Sequence, residues 1–429
     1  MIQSVSNRYI QSERMFKQAE KSIPGGVNSP VRAFKSVGGN PVFMKSANGA
    51  FLYDVDGNEY IDFVNALLAI TIGYCDADID KAVQEQMGNG VIFSLPHKLE
   101  MEVAEKLIEI IPCAEKVRFA KNGTDATTAS VRIARAYTGK EHIAVCGYHG
   151  WQDWYICSTA RDLGVPTAMK ELTHKFQYNN IKSLEKLFEE QEFACVIMEP
   201  MNIEYPENNF LKKVKELAHK NNALLIFDET ITGFRYSLGG AQELFDVIPD
   251  LATFGKGMAN GYPLSAVVGR NKIMQKVEDI FFSGTFGGET LSLAAANAVI
   301  DKYKKEQVID HFYEIGTYLL QELDRLIDNE ALGGIFWTSG HPSWSFLHIK
   351  DQEKYSSFEI KTFFLQESFK RGVITLGSHN ISMSHTRRDV DRLIEVYSKV
   401  LPMIKHHLNN QDLLENIHGK ILEPLFKVR

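Results

Sequence analysis

Apolar and polar positions follow two different rhythms along this chain. Between about residue 78 and residue 305, short continuous apolar runs alternate with longer segments that are apolar every third or fourth position. The runs at 116–120, 142–146, 194–198, 223–227, 251–254 and 265–269 have strand length and stop at Gly, Asn or charged residues. The segments 99–111, 125–137, 184–190, 210–220 and 290–305 have helical spacing. In the first of these, Leu99, Val103, Leu107 and Ile111 share a face, and Pro112 ends it. Such alternation predicts an α/β fold with a mostly parallel, doubly wound sheet.

The flanks read differently. Residues 8–21 form a short amphipathic pattern that breaks at Pro24-Gly25-Gly26. Strands are expected at 41–45, 50–54 and 59–63, with Asp56-Gly57-Asn58 turning between the last two. Toward the other end, 345–349, 372–375 and 381–385 read as strands. Thr386 then caps a helix with Val390, Leu393, Tyr397, Val400, Leu401 and Ile404 on one face. The tail beyond Leu408 reads as a peripheral helix. The expected organisation is a large domain at 61–305 and a smaller α+β domain at 306–429, joined by the N-terminal segment 1–60.

Composition narrows the function. The 429 residues carry a net charge of −7, against a nucleic-acid backbone as partner. Five scattered cysteines without a CxxC pair favour a reducing compartment over a disulfide framework. No apolar run has the length of a membrane span, and residues 1–21 lack a signal-peptide core, so a cytoplasmic protein is expected. The thirteen histidines form no HExxH pattern, so no metal is expected, and GxxxxGK[ST], GxGxxG and GxSxG are absent.

Chemistry gathers where apolar runs end in charge. The run 223–227 stops at Asp228-Glu229, and the run 251–254 stops at Gly255-Lys256-Gly257. In open α/β sheets, ligands bind at the carboxyl ends of strands. Asn122-Gly123-Thr124, a strand-turn-helix junction, offers free N–H groups and a helix dipole to an anion, and serves equally as an ordinary cap. Tyr148, in Tyr148-His149-Gly150, can stack on a planar ring or fill the core. Asp228 suits a protonated ring nitrogen or a structural hydrogen bond. Lys256 suits a deprotonated nucleophile, although most lysines are solvated surface groups. One cofactor, pyridoxal 5′-phosphate, satisfies all four demands: phosphate cup, ring stack, ring-nitrogen acid and amine.

From about residue 23 to residue 385 the chain resembles the class III aminotransferases of PLP fold type I, most closely the glutamate-1-semialdehyde 2,1-aminomutase branch. The resemblance is carried by the run from Pro24-Gly25-Gly26-Val27-Asn28-Ser29 to Pro30-Val31-Arg32-Ala33-Phe34 and by Asp54-Val55-Asp56-Gly57-Asn58. Arg132-Ile133-Ala134-Arg135-Ala136-Tyr137-Thr138-Gly139, Tyr148-His149-Gly150, Asp228-Glu229 and Thr232-Gly233-Phe234-Arg235 carry it further. It implies that Lys256 forms the aldimine and Asp228 pairs with the pyridine nitrogen. It implies that Tyr148 stacks on the ring and that Asn122, Gly123 and Thr124 hold the phosphate. It further implies a homodimer in which Thr285 reaches the other subunit's phosphate, and an Arg32 that holds a substrate carboxylate.

The chain departs from that pattern on the substrate side. Where the aminomutases carry a long closing loop, this chain has a shorter aromatic stretch containing Trp151 and Trp154. Lys121 precedes Asn122-Gly123-Thr124 where the family has NSGTE, and Gly288-Glu289-Thr290 stands where the family has Gly-Asn-Pro. A C-terminal glutamate is replaced by Leu376-Gly377-Ser378-His379-Asn380. Trp151 and His379 are then expected to shape the substrate pocket with Trp154, although the two tryptophans serve equally as core or dimer-interface residues. The expected function is transamination between an amino donor and an aldehyde or keto acceptor, both small molecules, through a Lys256 aldimine and the pyridoxamine form. The alternatives are the aminomutase that makes 5-aminolevulinate and a non-catalytic binding module of the same fold.

Overall fold

The computed structural model describes residues 8–29 and 41–423. These divide into two compact units. The larger takes in Leu68–Thr71 and Ala77–Asp310, and the other takes in the chain up to Leu67, Ile72–Asp76 and the chain from His311.

The larger unit is built on seven strands: β1 (Lys116–Ala120), β2 (His142–Cys146), β3 (Thr173–Lys175), β4 (Phe193–Met198), β5 (Leu224–Asp228), β6 (Leu251–Phe254) and β7 (Ser265–Gly269). Their order across the sheet is β1-β7-β6-β5-β4-β2-β3. From β6 to β3 all neighbours are parallel, whereas β7 runs antiparallel to both β1 and β6. Every residue of β4, β5 and β6 is buried. That explains their unbroken apolar character, since strands covered on both faces have no polar side to show. The helix Gly123–Thr138 lays Ala126, Ala129, Ile133 and Ala134 into the core on this sheet and ends at Gly139 in the left-handed region. Among the described residues, no helix is long and apolar enough to cross a membrane.

The other unit contains two small sheets. Met44–Asn48, Phe51–Asp54 and Glu59–Asp62 form an antiparallel meander, and Val373–Ile374 adds to it in parallel. Phe336–His341, Trp344–Ile349 and Ser378–Asn380 form the second, antiparallel sheet. Because Glu59–Asp62 pairs on both sides within the meander, the chain stays in this unit until Leu67 rather than leaving it at residue 60. The helix Arg387–Asn410 follows its expected cap, Thr386, whose N–H and hydroxyl both donate to Asp389.

Two expectations fail here. Residues 381–385 are not a strand. Pairing stops at Asn380, and the Ser382 hydroxyl and N–H both turn back onto His385 Nδ1, at 2.8 and 3.0 Å. The tail is not a helix either: the chain leaves Asn410 through a left-handed Gln411, and only the short turn Leu413–Asn416 follows among the described residues.

His379, expected at a substrate pocket, is fully buried in this unit. Its pairing partner across the sheet is Ser345, whose hydroxyl lies 3.2 Å from Nδ1, and the Tyr397 hydroxyl lies 3.0 Å from Nε2. With both nitrogens engaged and no exposed surface, the ring offers nothing to a substrate. Burial pushes its pKa down to about 3 from 6.5. The unfolded chain therefore takes up a proton that the folded chain refuses, and stability falls as pH drops from about 6.5 toward 3. Urea unfolding followed across that range is expected to show a shallower loss for His379→Gln, by about one proton per unfolding event. An unchanged slope would assign the acid lability elsewhere.

Candidate active site

Strand register brings four chain segments to one edge of the large sheet. Cys146 lies beside Met198, Met198 beside Phe227, and Asp228 beside Thr253. The residues that follow are consequently neighbours: Tyr148 and His149 after β2, Glu199 after β4, Asp228 closing β5 and Lys256 after β6.

Asp228 is buried, and both its oxygens are bonded, Oδ2 to a single partner. Its Oδ1 accepts from the Thr230 N–H at 3.1 Å, the Thr230 hydroxyl at 2.6 Å and the Thr253 hydroxyl at 3.0 Å. Its Oδ2 faces His149 Nδ1 at 2.9 Å. Burial by itself would raise the carboxyl's pKa. The bond and charge of His149, followed by the Thr230 bonds, outweigh it and hold the group below the usual carboxylate value. His149 is also buried, and its other nitrogen lies 3.2 Å from the Cys146 carbonyl oxygen, so both nitrogens face acceptors. Sequence reasoning assigned His149 no role. Its part depends on the register of β2 with β4 and β5, which no local pattern announces.

The neighbouring acids do other work. Glu229 is buried on the opposite side of the strand end and accepts from the N–H groups of Ala241 and Gln242, at 2.8 and 2.9 Å, and from the Thr232 hydroxyl. Glu199 sits under the Tyr148 backbone, accepting its N–H at 2.8 Å and the Asn202 amide at 3.2 Å. Gly147, with φ at +106°, leaves the space that Glu199 fills; a side chain there would collide with the carboxylate.

Lys256 opens a short 3₁₀ turn, Lys256–Ala259, with a left-handed φ of 44°. A non-glycine residue in that region costs on the order of 1–2 kcal/mol and is often found at functional sites. Thr71 braces the turn, its hydroxyl 3.3 Å from the Gly257 carbonyl and its N–H bonded to Asn260. Burial lowers the Lys256 pKa below the ordinary lysine value, against the opposing pull of Glu199 and Asp228, and the buried Arg235 lowers it further.

The anion cup is equally specific. Asn122 precedes the helix Gly123–Thr138, and its N–H is held by Asp125 at 2.8 Å. The Thr124 hydroxyl is buried and has no partner in the protein among the described residues. Gly150 passes so close to that hydroxyl that a side chain would strike it. An orphaned buried hydroxyl at a helix N-terminus, in a space kept open by glycine, fits a phosphate oxygen. Together with Asp228 for a ring nitrogen and a deprotonation-prone Lys256, these residues fit pyridoxal 5′-phosphate.

The remaining candidates are spread out. The Tyr148 ring is 45% exposed and stands edge-on to Tyr155. Trp151 is 66% exposed. Trp154 is a core residue instead of a pocket wall: its indole N–H donates to Thr128 and its ring lies parallel to His149. Thr285 is exposed and lines a cavity of about 450 Å³ with Lys121, Asp125 and Arg132. Arg32 lies outside the described residues.

Comparison with known proteins identifies the family. The Aminotransferase class-III family profile matches residues 34–383. The glutamate-1-semialdehyde 2,1-aminomutase of Francisella philomiragia is 42% identical over 344 residues, 75% of this chain and 78% of its own. The 3-aminobutyryl-CoA aminotransferase of Cloacimonas acidaminovorans is 36% identical over 411 residues, 93% of this chain and 98% of its own. Among solved structures, the FumI protein of Sphingopyxis sp. MTA144, with bound PLP, superposes with a TM-score of 0.86 at 25% identity, covering 93% of this chain and 98% of its own. The chain belongs to the class III aminotransferases, PLP-dependent enzymes of fold type I.

Proposed function

We propose that this enzyme is a two-substrate aminotransferase, in which an amino donor gives up its nitrogen and leaves before a separate aldehyde or ketone collects it. The observation that carries this reading is the anchoring of both ends of the segment 151–173. Trp154, Tyr155 and Cys157 are buried and the Tyr155 hydroxyl donates to the Gly147 carbonyl at 2.8 Å, while Met169 packs on the same core and the Thr173 hydroxyl donates to the Trp154 carbonyl at 2.6 Å. A segment packed in this way is a poor lid, and an aminomutase needs a lid to retain its intermediate through both halves of the reaction. The near full-length likeness to an aminotransferase named for 3-aminobutyryl-CoA supports the same reading. One observation favours the aminomutase instead: the 42% identity to the Francisella enzyme.

The residue roles follow from the site. When bound, pyridoxal 5′-phosphate supplies an electrophilic carbonyl for the amino group and a ring that accepts electrons released at the substrate carbon. Lys256 offers an amine that burial biases toward the free base, and it moves the proton at the reacting carbon. Asp228, kept ionised by His149 and Thr230, holds a proton on the ring nitrogen. Thr124 and the N–H groups of its helix bind the phosphate, and Tyr148 covers the ring. Arg32, Trp151 or both face the substrate.

A second copy of the chain completes the site in this reading, with Thr285 reaching its phosphate. The exposure of Phe281, at 85%, and of Phe286 beside Thr285 supports a covered face there. The five cysteines are all free, which supports a reducing, cytoplasmic setting.

Enzyme loaded with pyridoxamine 5′-phosphate and mixed with glutamate 1-semialdehyde is expected to form no useful 5-aminolevulinate without an added donor. Rapid formation would establish the aminomutase reading. Lys256→Ala is expected to cut transamination at least about 10³-fold, and Asp228→Asn about 10²–10⁴-fold, with the fold retained by circular dichroism. Near-normal turnover in either variant would remove its assigned role.

A further inference from the structure

Two positions at which the chain departs from the family pattern are bonded to each other across 168 residues of sequence. Lys121 stands just before the Asn122-Gly123-Thr124 cup, and Glu289 stands just after the Thr285 loop. Lys121 Nζ lies 2.9 Å from Glu289 Oε2 and 3.2 Å from the Ser292 hydroxyl. The two side chains are only 18% and 13% exposed. Burial would raise the Glu289 carboxyl, but the bonds from Lys121, Ser292 and the Leu291 N–H outweigh it and keep it ionised.

Plain helix capping does not account for the pair. Glu289 alone caps the helix Thr290–Lys305, accepting from Leu291 at 2.7 Å and Ser292 at 3.2 Å. The lysine ties that cap to the strand end where the cup begins. The opposite end of the loop is fastened separately: Arg118 donates to the Phe282 carbonyl at 3.0 Å, and Arg132 to the Phe281 carbonyl at 3.2 Å. Between these fastenings lie the exposed residues 283–286, with Thr285 among them. A loop clamped at both ends and bare in the middle holds a hydroxyl at a set distance from its clamps.

We infer that Lys121 and Glu289 are positioning residues for the cofactor phosphate, locking the Thr285 loop to the strand end that opens the cup. The inference rests on the reading of Thr124 and Thr285 as phosphate contacts. The pair fixes this chain's Thr285 loop relative to its own cup, and so fixes where the Thr285 hydroxyl meets the phosphate bound in the second copy.

The test titrates apoenzyme with pyridoxal 5′-phosphate and, separately, with pyridoxal, which lacks the phosphate. Lys121→Met and Glu289→Gln are each expected to weaken the phosphorylated ligand about tenfold while pyridoxal stays within about twofold. The neutral pair, Lys121→Met with Glu289→Gln, leaves no lone buried charge and is expected to fold, by apoenzyme melting, and still show the loss. Equal weakening of both ligands, or no weakening of either, would overturn the inference. Thr285→Val separates it from the reading beneath: an unchanged affinity there would remove the Thr285 contact, and with it the loop's share in binding phosphate.

Discussion

Asp228 is a carboxylate buried at the end of a strand that is apolar throughout, and much of the site follows from that cost. An uncompensated buried carboxylate is penalised by several kcal/mol. Here the compensation comes from three separate pieces of chain: His149 after β2, Thr230 just beyond β5 and Thr253 on β6. Thr230 is local, but His149 and Thr253 are close enough only when β6, β5, β4 and β2 lie in their observed register. A slip of β6 by one residue would turn Thr253 to the other face and put an apolar side chain against the carboxylate. The ionised state of Asp228 and the register of the parallel sheet therefore depend on each other.

The same edge distributes acids by geometry rather than by residue type. Asp228 and Glu229 are adjacent and point to opposite sides. One faces the site, and the other ties down the turn that carries Ala241 and Gln242. Glu199 supports the Tyr148 backbone from below. The burial that raises Glu199 also lowers Lys256, because the environment disfavours charge of either sign. Lys256 is thus shifted toward its neutral form while Asp228 is held in its ionised form, a division of charge of the kind the proposed roles require.

Much of this was legible in the sequence where local pattern and final environment coincide. β1, β2, β6 and β7 lie where their apolar runs begin and end, since glycine or charge stops each run. Asp228, Lys256 and Thr124 stand out for the same reason: each marks a strand end or helix start. The helix Ser357–Lys370 was not legible, because it buries Thr362, Gln366, Glu367 and Ser368 along with its apolar residues, and a helix covered on nearly all sides shows no 3.6-residue stripe. His149 and Glu199 escaped because their roles come from neighbours on other strands. His379 misled in the opposite way: Gly377-Ser378-His379-Asn380 has loop composition, yet pairing with Trp344–Ile349 draws it into a sheet and buries it.

Backbone register sets the position of some residues at the site, and side-chain bonds set that of others. Tyr148, Asp228 and Lys256 follow strands of the sheet. The segment after Trp151 is held by Trp154, Tyr155 and Met169, and the Thr285 loop by Arg118, Arg132 and Lys121. Register cannot change at one strand without moving every neighbour, so a substitution there is paid for across the whole edge. A side-chain fastening can be replaced by another of equal reach, provided both partners change. Lys121 and Glu289 are such a matched pair, a lysine and a glutamate that meet across 168 residues of sequence and hold the Thr285 loop without constraining the sheet.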